Sequence, residues 1–567
     1  MISVPISRTR LLSALCLAAG LLLLGRLYFV QIVDGADFLA KADRQYAPKG
    51  GALWNRGSIF FTGKDGSEVG AATLASGFTL AIQPKMIADP EALFAALSSL
   101  VSLDRETFLR KASRKDDPYE EVATHLSESA ATQIAERKYT GVALYRERWR
   151  LYPGGTLAAQ TLGFVGFEGD TENGRSGLER YYEDTLARAD NGGFRNFFAE
   201  IFSGVSRAAK GGKLEGDVVT SIESTVEQNL EETLGAARKQ FDAARVGGII
   251  MDPTNGRVFA MALSPSFDPN QYALEKDPSV FQNSLVENVY EMGSIIKPLT
   301  LAAGIDAGVI TATSTYFDAG SLTLNGKTIY NFDAKGRGRV SVQEVLNQSL
   351  NTGAATVALT LGADRFTDYF KKFGFGEETG IDLPSEAAGL VRNLASKREI
   401  ELATASYGQG IALTPIQTVR ALAALGNGGT LLVPHLATKV RYALGGARAA
   451  DETERIQVLK PETSREITRM LVEVVDTALL GGEYKMPHYS IAAKTGTALI
   501  ARPEGGYYDD RFLHSFFGYF PAYHPRFIIF LYIIEPKGVA FASYTLTKPF
   551  MDIAKFLINY YEIPPDR

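Results

Sequence analysis

The stretch NVYEMGSIIKPLT, Asn288 to Thr300, sets the hydroxyl of Ser294 three residues before the amine of Lys297, among Met, Ile and Leu. On a helix, positions i and i+3 share a face, so the two groups can touch. Pro298, tolerated best near a helix start, predicts a helix beginning at about Ser294. A serine there would sit beside free backbone N–H groups and the positive end of the helix dipole. Ile295, Ile296 and Leu299 would strip water from the amine, favouring its neutral form, the only form that can take a proton. The chemistry would be attack by Ser294 with Lys297 as base. Alone the pattern is weak: S-x-x-K arises about once or twice by chance in a chain this long, and a solvated lysine competes with the catalytic reading.

Two later segments change the balance. EVLNQSLNTGAA carries Ser349-Leu350-Asn351, and IAAKTGTAL carries Lys494-Thr495-Gly496-Thr497 on the alternation expected of an inward-facing strand. A second ammonium near Lys297 would depress its pKa further, because neighbouring cations resist being charged together.

The elements around these segments predict one α+β domain over 216–567. GDVVTSIESTVEQNLEETLG reads as a short strand followed by a helix from about Thr225. RVGGIIMDPTNGRVFAMALS reads as a hairpin turning at Asn255-Gly256. Thr414-Pro415 starts a helix, HSFFGYFPAYHPRFIIFLYII gives two strands around a turn, and KPFMDIAKFLINYYEI closes the chain as an amphipathic helix. Strands at both ends with helices between imply a central antiparallel sheet flanked by helices. Residues 34–215 mix glycine-punctuated strands with helical pieces such as DPEALFAALSSLV. They contain no cluster of nucleophile, base and donor, and are expected to serve as a spacer or partner surface.

The N-terminus indicates the compartment. The run from residue 11 to 33 is predominantly apolar, with Arg26 its one charged residue; as a helix its 23 residues would extend about 35 Å, enough to cross a hydrocarbon core of roughly 30 Å. Arg8 and Arg10 precede it, so residues 1–10 are expected in the cytoplasm and the rest outside. The first A-x-A after the apolar run, Ala40-Lys41-Ala42, lies well beyond it and argues against cleavage. A single cysteine, Cys16, excludes an intramolecular disulfide, and the five histidines lack metal-ligand spacing. With a net charge of −5 and no Lys/Arg-rich run, nucleic acid is not expected as a partner.

The order S-x-x-K, S-x-N, K-T-G resembles the penicilloyl serine transferases, specifically the class B penicillin-binding proteins. YPGGTLAAQTLGFVG and GLERYYEDTL resemble the family's pedestal signatures; MDPTNGRVFAMALSPSFDPNQY and SYGQGIALTPIQ resemble its transpeptidase landmarks. The resemblance implies a β-lactamase-like catalytic domain over 216–567, a non-catalytic dimerisation-like pedestal over 34–215 and an anchor at 11–33. It implies acyl transfer from the penultimate D-alanine of a peptidoglycan stem peptide to a neighbouring amine, inhibition by β-lactams, and no cofactor or metal. Ser294 would form the acyl-enzyme, Lys297 would be its base and Ser349 would relay protons. Asn351 would bond the substrate backbone; Lys494, Thr495 and Thr497 would hold the terminal carboxylate, and Gly496 would let the substrate lie close to the strand. The backbone N–H groups of Ser294 and Thr497 would form the oxyanion hole.

YEMGS is closer to the division pattern YEPGS than to the elongation pattern PPGS, which implies septal synthesis beside a polytopic glycan polymerase and division proteins. The departures are Ser-Leu-Asn for the commoner Ser-Ser-Asn, Met292 for a proline, and a loose pedestal motif at NRGSIFFTGKDG. Rival readings are an elongation enzyme, a β-lactamase-like hydrolase and a silent division scaffold. A hydrolase would not need so long a pedestal behind an anchor, and a scaffold would be expected to have degenerate triplets.

Overall fold

The computed structural model describes residues 17, 54–169, 171–188, 215–396, 398–443, 445–450 and 454–567. Except for residue 17, the tail and anchor expected over 1–33 lie outside the described residues, as do 34–53 and 189–214 of the pedestal. Among the described residues no helix is long and apolar enough to cross a membrane.

Strands β1 (Ile59–Thr62) and β2 (Glu68–Ile82) form an antiparallel pair. The chain divides into two compact units, with described residues Leu74–Trp149 in the smaller. There β3 (Glu120–Leu126) pairs antiparallel with β2, and β4 (Val142–Leu151) also pairs with β2. Helices Pro90–Ser98 and Arg105–Ala112 begin at Asp89 and Asp104, whose carboxylates accept the N–H groups of Ala92 and Thr107. Such caps satisfy donors that the first turn leaves free. Leu80, Ile82, Leu93, Leu97, Phe108 and Ile134 fill the core.

The larger unit joins Arg56–Thr73 and Arg150–Ala187 to Lys213–Arg567. β5 (Gly216–Thr220) runs parallel to β1, with Ile59 opposite Val218. A buried ion network ties these stretches together. Glu179, fully buried, accepts Arg56 Nε at 2.7 Å and Arg150 Nε at 2.6 Å, while Arg56 also reaches Glu183 at 2.7 Å. Tyr152 OH donates to Glu179 at 3.2 Å.

The central sheet of this unit begins with β6 (Arg245–Met251) and β7 (Val258–Ser264), the hairpin predicted at Asn255-Gly256. Gly256 has φ +86°, the left-handed conformation its lack of Cβ permits. α1 (Ser224–Gln240) precedes this hairpin; further along are α2 (Lys297–Asp306), β8 (Thr315–Asp318), β9 (Lys327–Tyr330), β10 (Gly338–Ser341) and α3 (Asn351–Leu361). The chain ends with β11 (Ala492–Ala501), β12 (Tyr507–Phe520), β13 (Phe527–Ile534) and α4 (Thr547–Tyr560). The sheet order is β11-β12-β13-β6-β7, antiparallel throughout, with β11 at an edge.

Residue alternation assigns the two faces. Phe516, Phe520, Ile529 and Leu531 join α1 and α4 in one core, through Leu230, Leu234, Phe550 and Leu557. Phe517, Tyr519, Ile528 and Phe530 belong to the other, with Ile295, Ile296 and Leu299. Burial on both faces explains why β13 is an unbroken apolar run, FIIFLYII, although its sheet is antiparallel. Thr414 caps the helix Pro415–Ala423 through a complete capping box, as its Thr-Pro sequence predicts.

Candidate active site

Ser294 lies in a single 3₁₀ turn, Gly293–Ile296, that runs directly into α2. The regular helix thus starts at Lys297, one turn later than Pro298 alone suggested, with the proline in its first turn. Burial of Ile295, Ile296 and Leu299 anchors the turn beneath a half-buried Ser294. Two backbone contacts hold it from opposite sides. Gly293 N–H donates to Gly408 O at 3.1 Å, in the SYGQG loop, and Ser515 Oγ of β12 donates to Met292 O at 2.8 Å. Gly293 has φ +65°, and a Cβ there would lie 2.8 Å from Thr497 O, so only glycine lets the turn approach β11 this closely.

Lys297 is fully buried. Its Nζ donates to Ser349 O at 2.5 Å and lies 3.2 Å from Ser349 Oγ. Lys494, on β11 and 4% exposed, brings its own Nζ to 3.1 Å from Ser349 Oγ and donates to Thr495 O at 3.1 Å. Burial, and then the charge of Lys494, hold the Lys297 pKa well below the ordinary lysine value. Burial pushes the Lys494 pKa down to about 8. Ile295, Ile296 and Leu299, the neighbours of Lys297 along the chain, are themselves fully buried, as desolvation of its amine requires.

Ser349 sits between the short helix Val342–Asn347 and α3, with φ +55°, an uncommon conformation for a residue bearing a Cβ. Such strain persists where surrounding contacts over-determine the backbone. Asn351 opens α3 and donates through Nδ2 to Tyr330 O at 2.8 Å. Thr495 and Thr497 are half-buried on one face of β11, and Thr497 Oγ1 accepts the Ala542 N–H at 3.1 Å. The room left by Gly496 is used by the protein itself: a Cβ there would lie 2.4 Å from Ser515 Oγ and 2.7 Å from Met292 O.

The three segments singled out in the sequence thus converge. Lys297, Ser349 and Lys494 are joined through one hydroxyl, Asn351 is two residues away along the chain, and Thr497 O borders the turn bearing Ser294. Ser294 enters through its backbone, without a side-chain hydrogen bond to the lysines. Sequence reasoning passed over Glu291, three residues before Ser294. Its carboxylate accepts Tyr507 OH at 3.0 Å and Gly410 N–H at 3.0 Å, and burial pushes its pKa up to about 6. It also passed over His514, opposite Thr497 on β12, buried and bonded through Nδ1 to Thr545 Oγ1 at 3.0 Å. A lone acid in a loop and a lone histidine in a strand carry no spacing signal. Among the described residues no group of His, Cys, Asp and Glu could hold a metal ion.

Residues 246–555, more than half of the chain, match the model of the penicillin binding protein transpeptidase domain, and 55–193 match the penicillin-binding protein dimerisation domain. The chain belongs to the class B penicillin-binding proteins. It is 28% identical to stage V sporulation protein D of Bacillus subtilis over 92% of this chain and 81% of that protein. It is 26% identical to the peptidoglycan D,D-transpeptidase FtsI homolog of Mesostigma viride over 99% and 96%. Among solved structures, penicillin binding protein 3 of Mycobacterium tuberculosis complexed with aztreonam shares the fold, with a TM-score of 0.69 at 23% identity over 91% of this chain and 98% of that one. The mixed α+β fold expected from the sequence is the fold of this family.

Proposed function

We propose that the chain cross-links peptidoglycan as a serine D,D-transpeptidase and that β-lactams acylate the same serine. One observation carries the reading: a fully buried amine, its pKa held well below the ordinary lysine value, and a second lysine meet at the hydroxyl of Ser349, beside the turn of Ser294.

Ser294 Oγ bonds to the carbonyl carbon of the penultimate D-alanine as Lys297 takes its proton. The N–H groups of Ser294 and Thr497 stabilise the oxyanion. Collapse of the tetrahedral intermediate breaks the bond to the terminal D-alanine, whose nitrogen receives a proton through Ser349. An acceptor amine then attacks the acyl-enzyme and restores Ser294. Cationic Lys494 and the hydroxyls of Thr495 and Thr497 hold the terminal carboxylate. Because Ala542 N–H occupies a lone pair of Thr497 Oγ1, that hydroxyl is left to donate its proton to the substrate. Asn351 aligns the peptide backbone.

The apolar run at 11–33 supports a single-pass anchor in the cytoplasmic membrane with the catalytic part outside, and 34–215 would serve as a pedestal before a transpeptidase domain at 216–567. YEMGS supports a septal role beside a polytopic glycan polymerase. Fluorescent penicillin tests the chemistry: the wild-type chain is expected to label one-to-one and Ser294→Ala not at all, and equal labelling would remove Ser294 as nucleophile. A fluorescent fusion tests the role. Midcell enrichment is expected, whereas uniform lateral signal would favour elongation.

A further inference from the structure

Helix α3 starts where Ser349 and Asn351 must be held, yet it has no cap of its own. Its N-cap residue is Leu350, whose side chain offers no acceptor. One missing acceptor comes from another part of the chain, and a second bond from there fixes a side chain of the first turn. Asn331 Oδ1 accepts the Thr352 N–H at 3.2 Å, and Asp318 Oδ1 accepts the Thr352 hydroxyl at 2.7 Å. Asp318, at the end of β8, is 1% exposed. The same carboxylate accepts Gly320 N–H at 3.0 Å, Asn331 Nδ2 at 2.9 and 3.0 Å and Arg337 N–H at 3.1 Å. An anion beside the start of a helix is favoured by the helix dipole as well as by these bonds.

The other flank of Ser349 is tied to the same assembly. Arg337, whose N–H bonds Asp318, donates from Nε to Gln348 Oε1 at 3.1 Å. Asn351 bonds the carbonyl of Tyr330, the neighbour of Asn331. Gln348, Asn351 and Thr352 are therefore all held by the segment 318–337, and the strained residue between them is Ser349.

We propose that Asp318 is a positioning residue that orients Asn331, which caps α3 from outside, and the Thr352 hydroxyl, and so sets Ser349 Oγ where Lys297 and Lys494 both reach it. The inference rests on the reading of Ser349 as proton relay. A misplacement of about 1 Å can cost on the order of 100-fold in rate. The group held here is one that acts in the chemical step.

The test measures acylation of the full-length chain by fluorescent penicillin, separating noncovalent affinity from the acylation rate. Asp318→Asn and Thr352→Val are expected to lower the acylation rate by about 10- to 100-fold with affinity changed less than about 3-fold, and Thr352→Ser to restore it. Wild-type acylation rates in Asp318→Asn and Thr352→Val, with or without a lowered melting temperature, would overturn the proposal. A slow Thr352→Ser would overturn it too, because the hydroxyl would not be what matters. If Asp318→Asn does not fold, the two Thr352 variants decide alone. Failure of the wild-type chain to label at Ser294 would overturn the transpeptidase reading instead, so the two failures are distinct.

Discussion

Lys297 Nζ and Lys494 Nζ converge on one oxygen, Ser349 Oγ, at 3.2 and 3.1 Å. Both amines are buried, and no carboxylate bonds either of them among the described residues. Two full charges at such a site would repel each other at low dielectric, so the pair divides its labour. Burial and the neighbouring charge of Lys494 favour the neutral form of Lys297, and Lys494, with a pKa of about 8, carries the charge at neutral pH.

This division predicts an alkaline limb in the pH profile. Lys494 is cationic below its pKa of about 8 and neutral above it. Acylation by penicillin should fall as pH rises through 8, the loss appearing in affinity for the carboxylate. Stopped-flow acylation between pH 6 and 10 checks this. In Lys494→Arg, whose guanidinium does not titrate in this range, the overall rate should drop while the alkaline limb disappears.

Replacing Lys297 should separate function from stability. Lys297→Met keeps an unbranched chain of similar length but removes the base, and acylation should fall by about 10²- to 10⁴-fold. The buried amine is held for chemistry at some cost in solvation, so the melting temperature should stay level or rise. A large fall in melting temperature together with normal labelling would contradict both expectations.

Gly293→Ala should damage the site through packing. The added Cβ would meet Thr497 O at 2.8 Å at a residue with φ +65°. The expected cost is ~1–3 kcal/mol of stability, with slowed acylation as the turn moves off β11. Gly235→Ala is the contrast: it lies within α1 with open space around it, and should stabilise by ~0.5–1 kcal/mol with labelling unchanged. Chemical denaturation of the two variants measures the difference.

Glu179→Gln should be far more costly than its conservative chemistry suggests. It would leave Arg150 without its carboxylate partner and Arg56 with only Glu183, in surroundings where Glu179 is fully buried. Removing one member of a buried ion pair typically costs about 3–5 kcal/mol. Thermal melts should show the loss at neutral pH and at high salt alike, since buried charges are poorly screened.

What the sequence made legible follows the range of each interaction. The hairpin at Gly256, the capped helix at Thr414 and the strand bearing Lys494 each announce themselves within a few residues, through turn chemistry, capping or period. Ser294 and Lys297 share one turn, and the family resemblance linked them to Ser349 and Lys494. The bond between Asp318 and Thr352 spans 34 residues and joins two types common everywhere, so no local pattern marks it. Gly496 shows a different limit. Its type was readable, but its physical neighbour, the Met292 carbonyl, is a backbone group from another segment.

The interleaved path of the larger unit governs how the protein can be dissected. A truncation beginning at residue 216 would discard β1 and leave β5 without its parallel neighbour, and it would remove all of Arg56, Arg150 and Glu179 together. Excising 74–149 and rejoining the ends with a short linker respects the path better, because β2 and β4, where the chain leaves and returns, pair with each other. A minimal soluble catalyst therefore drops the anchor proposed at 11–33 but keeps Arg56 and β1, with further shortening by deletion at 74–149.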